Sequence, residues 1–393
     1  MDEVLACRSG DRGQEMTKKP TKKVSVGDLV GELGKRAPYD FAEEWDNVGF
    51  LAGDASDEIK GVVVAVNLGP EALKAAAERG ANVIVCHHPP IFKPVSRLTK
   101  TSSPYLYEAL RKGVSVIALH TNFDLACSEV AETITAHLGV KKTGFLAPRG
   151  GSTVPASLRL GKFITYLPSD ALDKVREAVC RAGAGRIGNY TDCSFSWDGQ
   201  GTYVGGDGSN PTSGKAGRLE KVEERRLEVV FPWKSLDSVI QAARGAHPYE
   251  EMAYDIIELK QPQRSVGYGF TAEDLSANLT FPKLLDSVKQ TFQLSDVTVA
   301  GPAVFDQQMK IRRLAFSPGS GSSFVGAAAA KGIDVYICGE VGYHQMLEAR
   351  QKGVTLMMLG HSYSERFFVE AVSSWCEPFG STEKVFEMIH KSF

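Results

Sequence analysis

Short apolar runs alternate with helix-like segments along this sequence, and several of these runs lead directly into polar residues. The first three runs are Gly61–Asn67, Asn82–Cys86 and Val114–Leu119, and helices are predicted over 70–80 and 104–112. Apolar runs without polar alternation are typical of strands that are buried on both faces of a sheet. Strands that alternate with helices in this rhythm predict a parallel α/β sheet.

The same rhythm occurs a second time near the C-terminus. The second set of elements comprises predicted strands over Ile311–Phe316, Asp334–Cys338 and Val354–Leu359 and predicted helices over Phe324–Lys331 and Tyr343–Lys352. Residues 317–323, which are Ser, Pro and Gly, are predicted to form a turn after the first of these strands.

Two segments of the first set resemble segments of the second set residue by residue. Ala76–Cys86 parallels Ala328–Cys338, and Arg111–Val116 parallels Gln351–Leu356. Any two strand-helix-strand units share some similarity, but matched polar residues at the strand ends favour a duplication. We therefore predict an α/β fold with two pseudo-repeated halves that form one core.

The segment between the two halves has a different character. Its predicted elements are strands over Lys162–Leu167, Arg225–Phe231 and Asp255–Leu259 and helices over Ser169–Arg181 and Trp233–Arg244. This order is typical of a ferredoxin-like α+β domain. The glycine-rich stretch 205–217 is predicted to be a mobile hairpin tip.

These patterns divide the chain into four predicted parts, which are a disordered leader (1–23), a first α/β half (24–156), an inserted domain (157–262) and a second α/β half (263–393). The leader is polar and lacks the apolar segment of a secretory signal. An organelle transit peptide is the alternative interpretation of this segment.

Composition limits the classes of function. The formal net charge is −2, so nucleic-acid binding, which needs an excess of Lys and Arg on one face, is not favoured. No apolar run reaches the roughly 20 residues that span a bilayer. The 7 cysteines occur singly, without a CxxC pair. This usage predicts a reducing, cytoplasmic location and no disulfide framework.

Two adjacent histidines, His87 and His88, directly follow the second predicted strand. A single histidine at a strand end is usually structural. A pair that is followed by Pro89 and Pro90 is held more rigidly, because proline restricts the backbone. Paired imidazoles are ligands that suit borderline divalent ions such as zinc or iron(II).

Three further residues follow strand ends and could complete a metal site. Asp124 follows the third strand, where a helix cap is the simpler interpretation. His361 and Glu365 are four residues apart, so that a helix would present both on one face, although a surface ion pair is the alternative. Open α/β sheets bind ligands at the carboxyl ends of their strands. We therefore predict that these residues and the histidine pair hold two divalent ions, which are zinc, iron or manganese, and that these ions activate water for hydrolysis.

Other polar residues at the strand ends are candidates for supporting roles. Glu340 and His344 form a second pair with a spacing of four, and His120 precedes Asp124 by four residues. We predict that these side chains orient metal ligands or relay a proton.

Five motifs resemble those of the Nif-three-like family, whose members are often labelled GTP cyclohydrolase I type two. The motifs are Glu44–Gly49, His87–Pro89, His120–Asp124, Gly339–His344 and Gly360–Glu365. The resemblance covers nearly the whole chain from about Val24. It includes the inserted segment, where Gly188–Phe195 and His247–Glu251 resemble the longer family members.

The resemblance implies two metal ions held by the residues that match His87, His88, Asp124, His361 and Glu365. It also implies a toroidal homohexamer, whose sites face an inner cavity, and an insert similar to PII-like proteins and trimeric copper-tolerance proteins. The chain departs from the family at one position, since Glu340 stands where the family usually has Asp. The longer side chain moves the carboxylate by about one C–C bond.

Two functions are consistent with these patterns. The first is a metal-dependent hydrolase that acts on a small phosphorylated or nucleotide-like molecule, with GTP cyclohydrolase-like ring opening as one form. The second is a non-catalytic metal-handling or regulatory protein in which the insert acts as a sensor.

Overall fold

A computed structural model describes residues 23–126, 128–150, 153–212, 214–260, 265–276, 278–306 and 308–386. Most of the predicted leader therefore lies outside the described residues. The described β-strands are β1 (Gly49–Ala52), β2 (Val62–Ala65), β3 (Val83–Cys86), β4 (Ser115–Ala118), β5 (Lys141–Gly144), β6 (Ala147–Pro148), β7 (Leu160–Leu167), β8 (Phe195–Val204), β9 (Leu219–Pro232), β10 (Tyr254–Leu259), β11 (Gly267–Tyr268), β12 (Phe270–Glu273), β13 (Thr298–Ala300), β14 (Arg313–Ser320), β15 (Val335–Glu340), β16 (Thr355–Met358) and β17 (Thr382–Val385).

The helices include short elements as well as long ones. The described α-helices are α1 (Val26–Arg36), α2 (Pro70–Arg79), α3 (Pro104–Arg111), α4 (Thr121–Ala126), α5 (Ser128–Leu138), α6 (Leu172–Arg181), α7 (Leu236–Ala246), α8 (Phe281–Phe292), α9 (Val325–Ala330), α10 (Tyr343–Gln351), α11 (His361–Ser364) and α12 (Arg366–Cys376).

The first large sheet contains the N-terminal apolar runs. Its strand order is β1-β4-β3-β2-β17, in which β1 is antiparallel to β4 and the other neighbours are parallel. Every residue of β2, β3 and β4 is buried, as expected for strands covered on both faces. Because β3 and β4 are parallel, the residues that follow them lie at the same edge of the sheet.

The second large sheet has the order β13-β16-β15-β14-β12-β5. Strands β14, β15 and β16 are parallel, whereas β13 and β12 are antiparallel to their neighbours β16 and β14. The predicted turn over 317–323 is wrong in its first part, because β14 continues to Ser320 with an irregular register between Ser317 and Ser320. Such an irregularity bends a strand and changes the direction of its side chains.

Elements near the ends of the two predicted halves cross between the sheets. Strand β17 pairs with β2 in the first sheet, and β5 pairs with β12 in the second sheet. Helix α12 also packs on the first sheet, where Phe368, Val372 and Trp375 lie in one apolar cluster with Val64 and Val85. The first predicted half thus contributes a strand to the second sheet, and the second predicted half contributes a strand and a helix to the first sheet.

Residues 160–259 form a separate antiparallel sheet with the order β10-β7-β9-β8. The elements follow one another as β7, α6, β8, β9, α7 and β10. Buried Phe163, Leu227 and Phe231 pack with Val175 and Val239 from the two helices. Strand β8 has no counterpart among the predicted elements, because its residues are mostly exposed and lack an apolar face.

Two further structural findings bear on the predictions from composition. Among the described residues, no helix is both long and apolar enough to cross a membrane. The described cysteines, Cys86, Cys180, Cys193, Cys338 and Cys376, are free thiols.

Candidate metal centre

The histidine pair is held by backbone hydrogen bonds to the neighbouring strand. The His87 amide donates to the Ala65 and Val66 carbonyl groups at 3.2 and 3.1 Å, and the His88 amide donates to Val66 at 2.9 Å. These bonds extend the ladder between β2 and β3 by two residues. The imidazoles therefore start from a fixed backbone at the edge of the first sheet.

The His87 ring is 1% exposed and has one nitrogen without a partner. Its Nδ1 donates to the Leu119 carbonyl oxygen at 2.8 Å, so Nε2 carries the lone pair. This Nε2 lies 3.7 Å from Asp124 Oδ1 and 3.7 Å from Glu365 Oε1. Burial lowers the pKa of His87 to about 3, so the ring is neutral and can act as a ligand.

His88 and His361 approach each other from the two sheets. The His88 Nδ1 donates to Asn67 Oδ1 at 2.7 Å, and the His361 Nδ1 donates to Glu340 Oε1 at 3.1 Å. These bonds turn the two Nε2 atoms toward each other, and they are 3.3 Å apart. The hydrogen bond with Glu365 raises the pKa of His361 to about 9, so its Nε2 carries a proton that a metal ion would replace. A carboxylate or carbonyl partner on Nδ1 is the usual way in which proteins orient a metal-binding imidazole.

Glu365 follows α11 and lies at the centre of the cluster, with only 6% of its surface exposed. Its Oε1 is 3.1 Å from His361 Nε2, and its Oε2 is 3.3 Å from His88 Nε2. Burial by itself would raise the pKa of Glu365, but the nearby His87, His361 and His88 rings outweigh burial and lower the pKa. The side chain is therefore an anion.

Asp124 lies within α4, rather than in a loop after the third strand. Burial, followed by the negative charge of Glu365, raises the pKa of Asp124 to about 7. Two carboxylates this close repel each other when both are ionised, and a cation between them would relieve that repulsion.

His120 is oriented by an acidic residue that the sequence analysis did not select as a site residue. The His120 Nδ1 donates to Asp46 Oδ1 at 2.9 Å, and the Thr121 amide and hydroxyl groups donate to Asp46 Oδ2. Burial would raise the pKa of Asp46, but these hydrogen bonds lower it to about 2. The His120 ring lies 5.2 Å from His87 and 5.6 Å from His88 between ring centroids.

Two groups of potential ligand atoms emerge from this geometry, each within a span of 4.8 Å. They are His87, His88 and His120, and His88, His361 and Glu365. Four of the five predicted ligands belong to these groups, and His120 joins them in addition to its predicted supporting role. The fifth predicted ligand, Asp124, contacts His87 but lies outside both groups.

Two glycines allow the close approach of the second-sheet ligands. A Cβ atom at Gly319 would lie 2.7 Å from Glu365 Oε1 and 3.4 Å from His361 Nε2, and the Gly319 φ of +62° disfavours other residues. A Cβ atom at Gly339 would lie 2.7 Å from the Ser364 hydroxyl oxygen. The Ser-, Pro- and Gly-rich stretch 317–323 is the sequence signal for Gly319, but this composition by itself predicts only a turn.

The predicted pair Glu340 and His344 is not on one helix. Glu340 is the last residue of β15, and its carboxylate contacts His361. His344 belongs to α10 and is exposed, and its ring lies 5.7 Å from the Tyr343 ring. The spacing of four residues therefore does not place these side chains together.

A cleft leads from the cluster to solvent. Its walls include Trp45, Arg149, Tyr268 and Phe324, and its floor includes His120, Asp124, His361 and Glu365. At the wall, Arg149 pairs with Glu43, which also accepts a hydrogen bond from the Tyr268 hydroxyl at 2.8 Å.

The donor set fits divalent metal ions. The Nε2 atoms of His87, His88 and His361 face the carboxylate oxygens of Glu365, with a proton on His361 in the metal-free state. Lone pairs that face one another at such distances repel unless a proton or a cation lies between them. Imidazoles with carboxylates are the ligands of zinc, iron and related ions.

Comparisons with known proteins agree with this reading of the motifs. A sequence profile of the family described as Duf34/NIF3 (NGG1p interacting factor 3) matches residues 24–386. The chain belongs to the DUF34/NIF3 family. The resemblance expected from the motifs is therefore confirmed.

Curated relatives in this family are similar over most of their length. A protein of Halalkalibacterium halodurans named GTP cyclohydrolase 1 type 2 homolog is 34% identical over 344 residues, which cover 86% of this chain and 89% of the relative. A Bacillus subtilis protein of the same name is 32% identical over 355 residues, with coverage of 90% and 92%.

Solved structures related to NIF3 have the same mixed α/β fold. A Bacillus cereus protein related to NIF3 matches with a TM-score of 0.73 and 27% identity, over 95% of this chain and 100% of the other. A Staphylococcus aureus protein matches with a TM-score of 0.78 and 24% identity, over 95% and 99% of the two chains. The predicted α/β class is thus confirmed.

Proposed function

We propose that this NIF3-family chain holds two divalent ions between its two large sheets. The predicted ligands His87, His88, Asp124, His361 and Glu365 would bind them, with His120 as a sixth candidate. The observation that carries this proposal is the approach of His88 Nε2 and His361 Nε2 to 3.3 Å with the Glu365 carboxylate beside both, because a cation that replaces the His361 proton would be held by all three groups. Zinc, iron and manganese are the candidate ions, and the ligand set does not distinguish among them.

We further propose that the centre hydrolyses a small phosphorylated or nucleotide-like molecule. Two bound ions would supply polarisation of the substrate and activation of water. The chain itself supplies His120, which Asp46 holds in one orientation, and Glu340, which holds His361. The name GTP cyclohydrolase 1 type 2 homolog, carried by the curated relatives, is consistent with this class of reaction.

Turnover by matched variants tests this proposal. Protein loaded with zinc, iron(II) or manganese is assayed against nucleotides and phosphoesters, beside metal-free protein, Glu365→Gln and the control Glu370→Gln. Glu370 is a surface residue of α12 that pairs with Arg366. We expect Glu365→Gln to lose at least about 100-fold in rate and Glu370→Gln to retain it. A rate no higher than that of metal-free protein for every compound would contradict a hydrolase.

A second candidate function is metal handling or regulation without catalysis. It is supported by the separate sheet of residues 160–259, which contributes no residue to either group of potential ligand atoms among the described residues. This sheet would act as a sensor that responds to metal loading. The candidate predicts that loading changes assembly or shape, and unchanged scattering profiles before and after loading would contradict it.

The remaining predictions on architecture also stay proposals. The matching orders β1-β4-β3-β2 and β13-β16-β15-β14 support a duplication, and the order of elements β7-α6-β8-β9-α7-β10 supports a ferredoxin-like insert. Exposed aromatic side chains on this insert, including Phe195 and Trp197, support a homo-oligomer, for which a hexamer is the expected form. The predicted four-part division and the cytoplasmic location are retained as expectations.

A further inference from the structure

Trp45 is a large apolar side chain that stands exposed beside the metal centre. Its relative exposure is 57%, and it lies in the wall of the cleft that leads to Asp124 and Glu365. Its ring meets the His120 ring edge to face, with 6.2 Å between centroids. Phe92, which is 48% exposed, lies 5.7 Å from Trp45.

The backbone on both sides of Trp45 is firmly attached. The Glu43 amide donates to the Thr121 hydroxyl at 3.1 Å, and the Asp46 carboxylate accepts hydrogen bonds from His120 and Thr121. Asn47 donates to the Ile91 carbonyl at 2.6 Å, which ties this segment to the loop that carries Phe92. The indole is therefore displayed on a fixed support, and binding to it would require little ordering.

We propose that Trp45 is the stacking surface for a flat heteroaromatic ring of the substrate, so that the substrate class is a nucleotide. This inference rests on the proposed function. A ring that stacks on Trp45 lies about one ring width from His120, which itself packs against His87 and His88. A ring that stacks on Trp45 would lie in the cleft that opens onto the centre, which His120, Asp124 and Glu365 also line.

Charges on the adjoining loop favour an anionic substrate over a neutral one. Lys93 and Arg97 follow Phe92, and both are exposed. Neither has an ion-pair partner among the described residues. A phosphate group attached to a stacked ring would complement these cations. Aromatic stacking with adjacent cations is a common way to bind single nucleotides.

The probes for this inference separate ring binding from phosphate binding. GMP, guanosine and ribose 5-phosphate are titrated by calorimetry into the full chain, before and after zinc loading. The variants are Trp45→Ala, Trp45→Phe and the control Tyr190→Ala, which removes a ring that is 74% exposed on the separate sheet. Melting temperature and assembly mass are recorded for each variant.

We expect Trp45→Ala to lower the affinity for GMP and for guanosine by about tenfold or more, in line with the strength of stacking. Trp45→Phe should bind both ligands with intermediate affinity. The affinity for ribose 5-phosphate should be the same in every variant, and Tyr190→Ala should bind GMP and guanosine as tightly as wild type. Equal GMP binding by all variants, or an equal loss for ribose 5-phosphate, would overturn the inference. A change in assembly mass without a change in GMP binding would also overturn it, since Trp45 would then be a contact between copies.

A failure here is distinguishable from a failure of the proposed function. If wild-type protein binds zinc through the centre and hydrolyses another phosphoester without binding GMP or guanosine, only the stacking role of Trp45 is lost. If it binds GMP through Trp45 but shows no turnover with any ion, stacking stands and the hydrolase proposal is lost.

Discussion

Four hydrogen bonds determine which way the imidazoles of the centre face. The Nδ1 atoms of His87, His88, His361 and His120 bond to the oxygens of Leu119, Asn67, Glu340 and Asp46, respectively. With Nδ1 used in this way, the Nε2 atoms are the ones that face the proposed ions. The nitrogen that each ring presents to the cluster is thus selected by residues outside the proposed ligand set.

At the residue scale, the sequence predicts which side chains cluster at the strand ends better than it predicts the hydrogen-bond partners that orient them. His87 and His88 were identifiable because they follow a buried strand and precede two prolines. Asp46 and Gly319 were not identifiable as site residues, because each acts through contacts with residues distant in the sequence. Glu340 was selected for its spacing from His344, yet its actual contact is with His361.

Gly319→Ala should impair metal binding without abolishing folding. Its Cβ would press on Glu365 Oε1, whereas at Gly332, which also has a positive φ, a Cβ would meet only the flexible end of Arg313. Both Gly319→Ala and the control Gly332→Ala should lose roughly 1–2 kcal/mol of unfolding free energy because of left-handed backbone strain. Only Gly319→Ala should also lose metal affinity. Equal metal titration curves for the two variants would contradict this account of Gly319.

The pH dependence of metal-free protein should report the environment of His361. The hydrogen bond with Glu365, outweighing burial, raises the pKa of His361 to about 9 from 6.5. A raised folded-state pKa stabilises the protein fully below about pH 6.5, and this stabilisation is lost as the pH rises through about 9. The melting temperature of wild type relative to His361→Gln should therefore fall between these pH values. A difference in melting temperature that does not change with pH would argue against the hydrogen bond between His361 and Glu365.

At the scale of elements, local patterns predict the central strands. They do not predict that a strand from each half pairs into the sheet of the other half. Strands β2, β3, β4, β15 and β16 are apolar runs and were predicted within a few residues of their ends. The pairing of β17 with β2 and of β5 with β12 was not predicted, because a strand's partner depends on long-range packing rather than on its own sequence. Strand β14 extends beyond its predicted end because Pro318 and Gly319, which are typical turn residues, continue the strand with an irregular register.

The separate sheet of residues 160–259 leads to a prediction at the same scale. Leu160 and Leu259 are paired neighbours at the ends of β7 and β10, so a short linker can join them. The core residues of this sheet come from within 163–256, so replacing residues 161–258 by a Gly-Ser linker should preserve the other cores. We expect unchanged metal content per chain. A folded product that has lost its metal would contradict the independence of the site from this sheet.

For the whole molecule, the main feature is a centre that neither sheet can form alone. His87, His88 and His120 follow strands of the first sheet, whereas His361 and Glu365 follow β16 of the second sheet. Helix α12 begins directly after Glu365 and packs on the first sheet, where the Phe368 ring lies 4.8 Å from the His87 ring. Binding of ions between the sheets should therefore stabilise the whole fold, since ligands that bind only the folded state raise its stability.

The most direct test is elemental analysis of untagged protein, comparing wild type with the double variant His88→Ala and Glu365→Ala. Both substitutions remove groups that contact His361 at the centre. We expect about two divalent ions per wild-type chain. We expect the double variant to remain folded and to lose these ions. Wild-type protein that contains no metal, even after loading with zinc, iron(II) or manganese, would contradict the dinuclear centre.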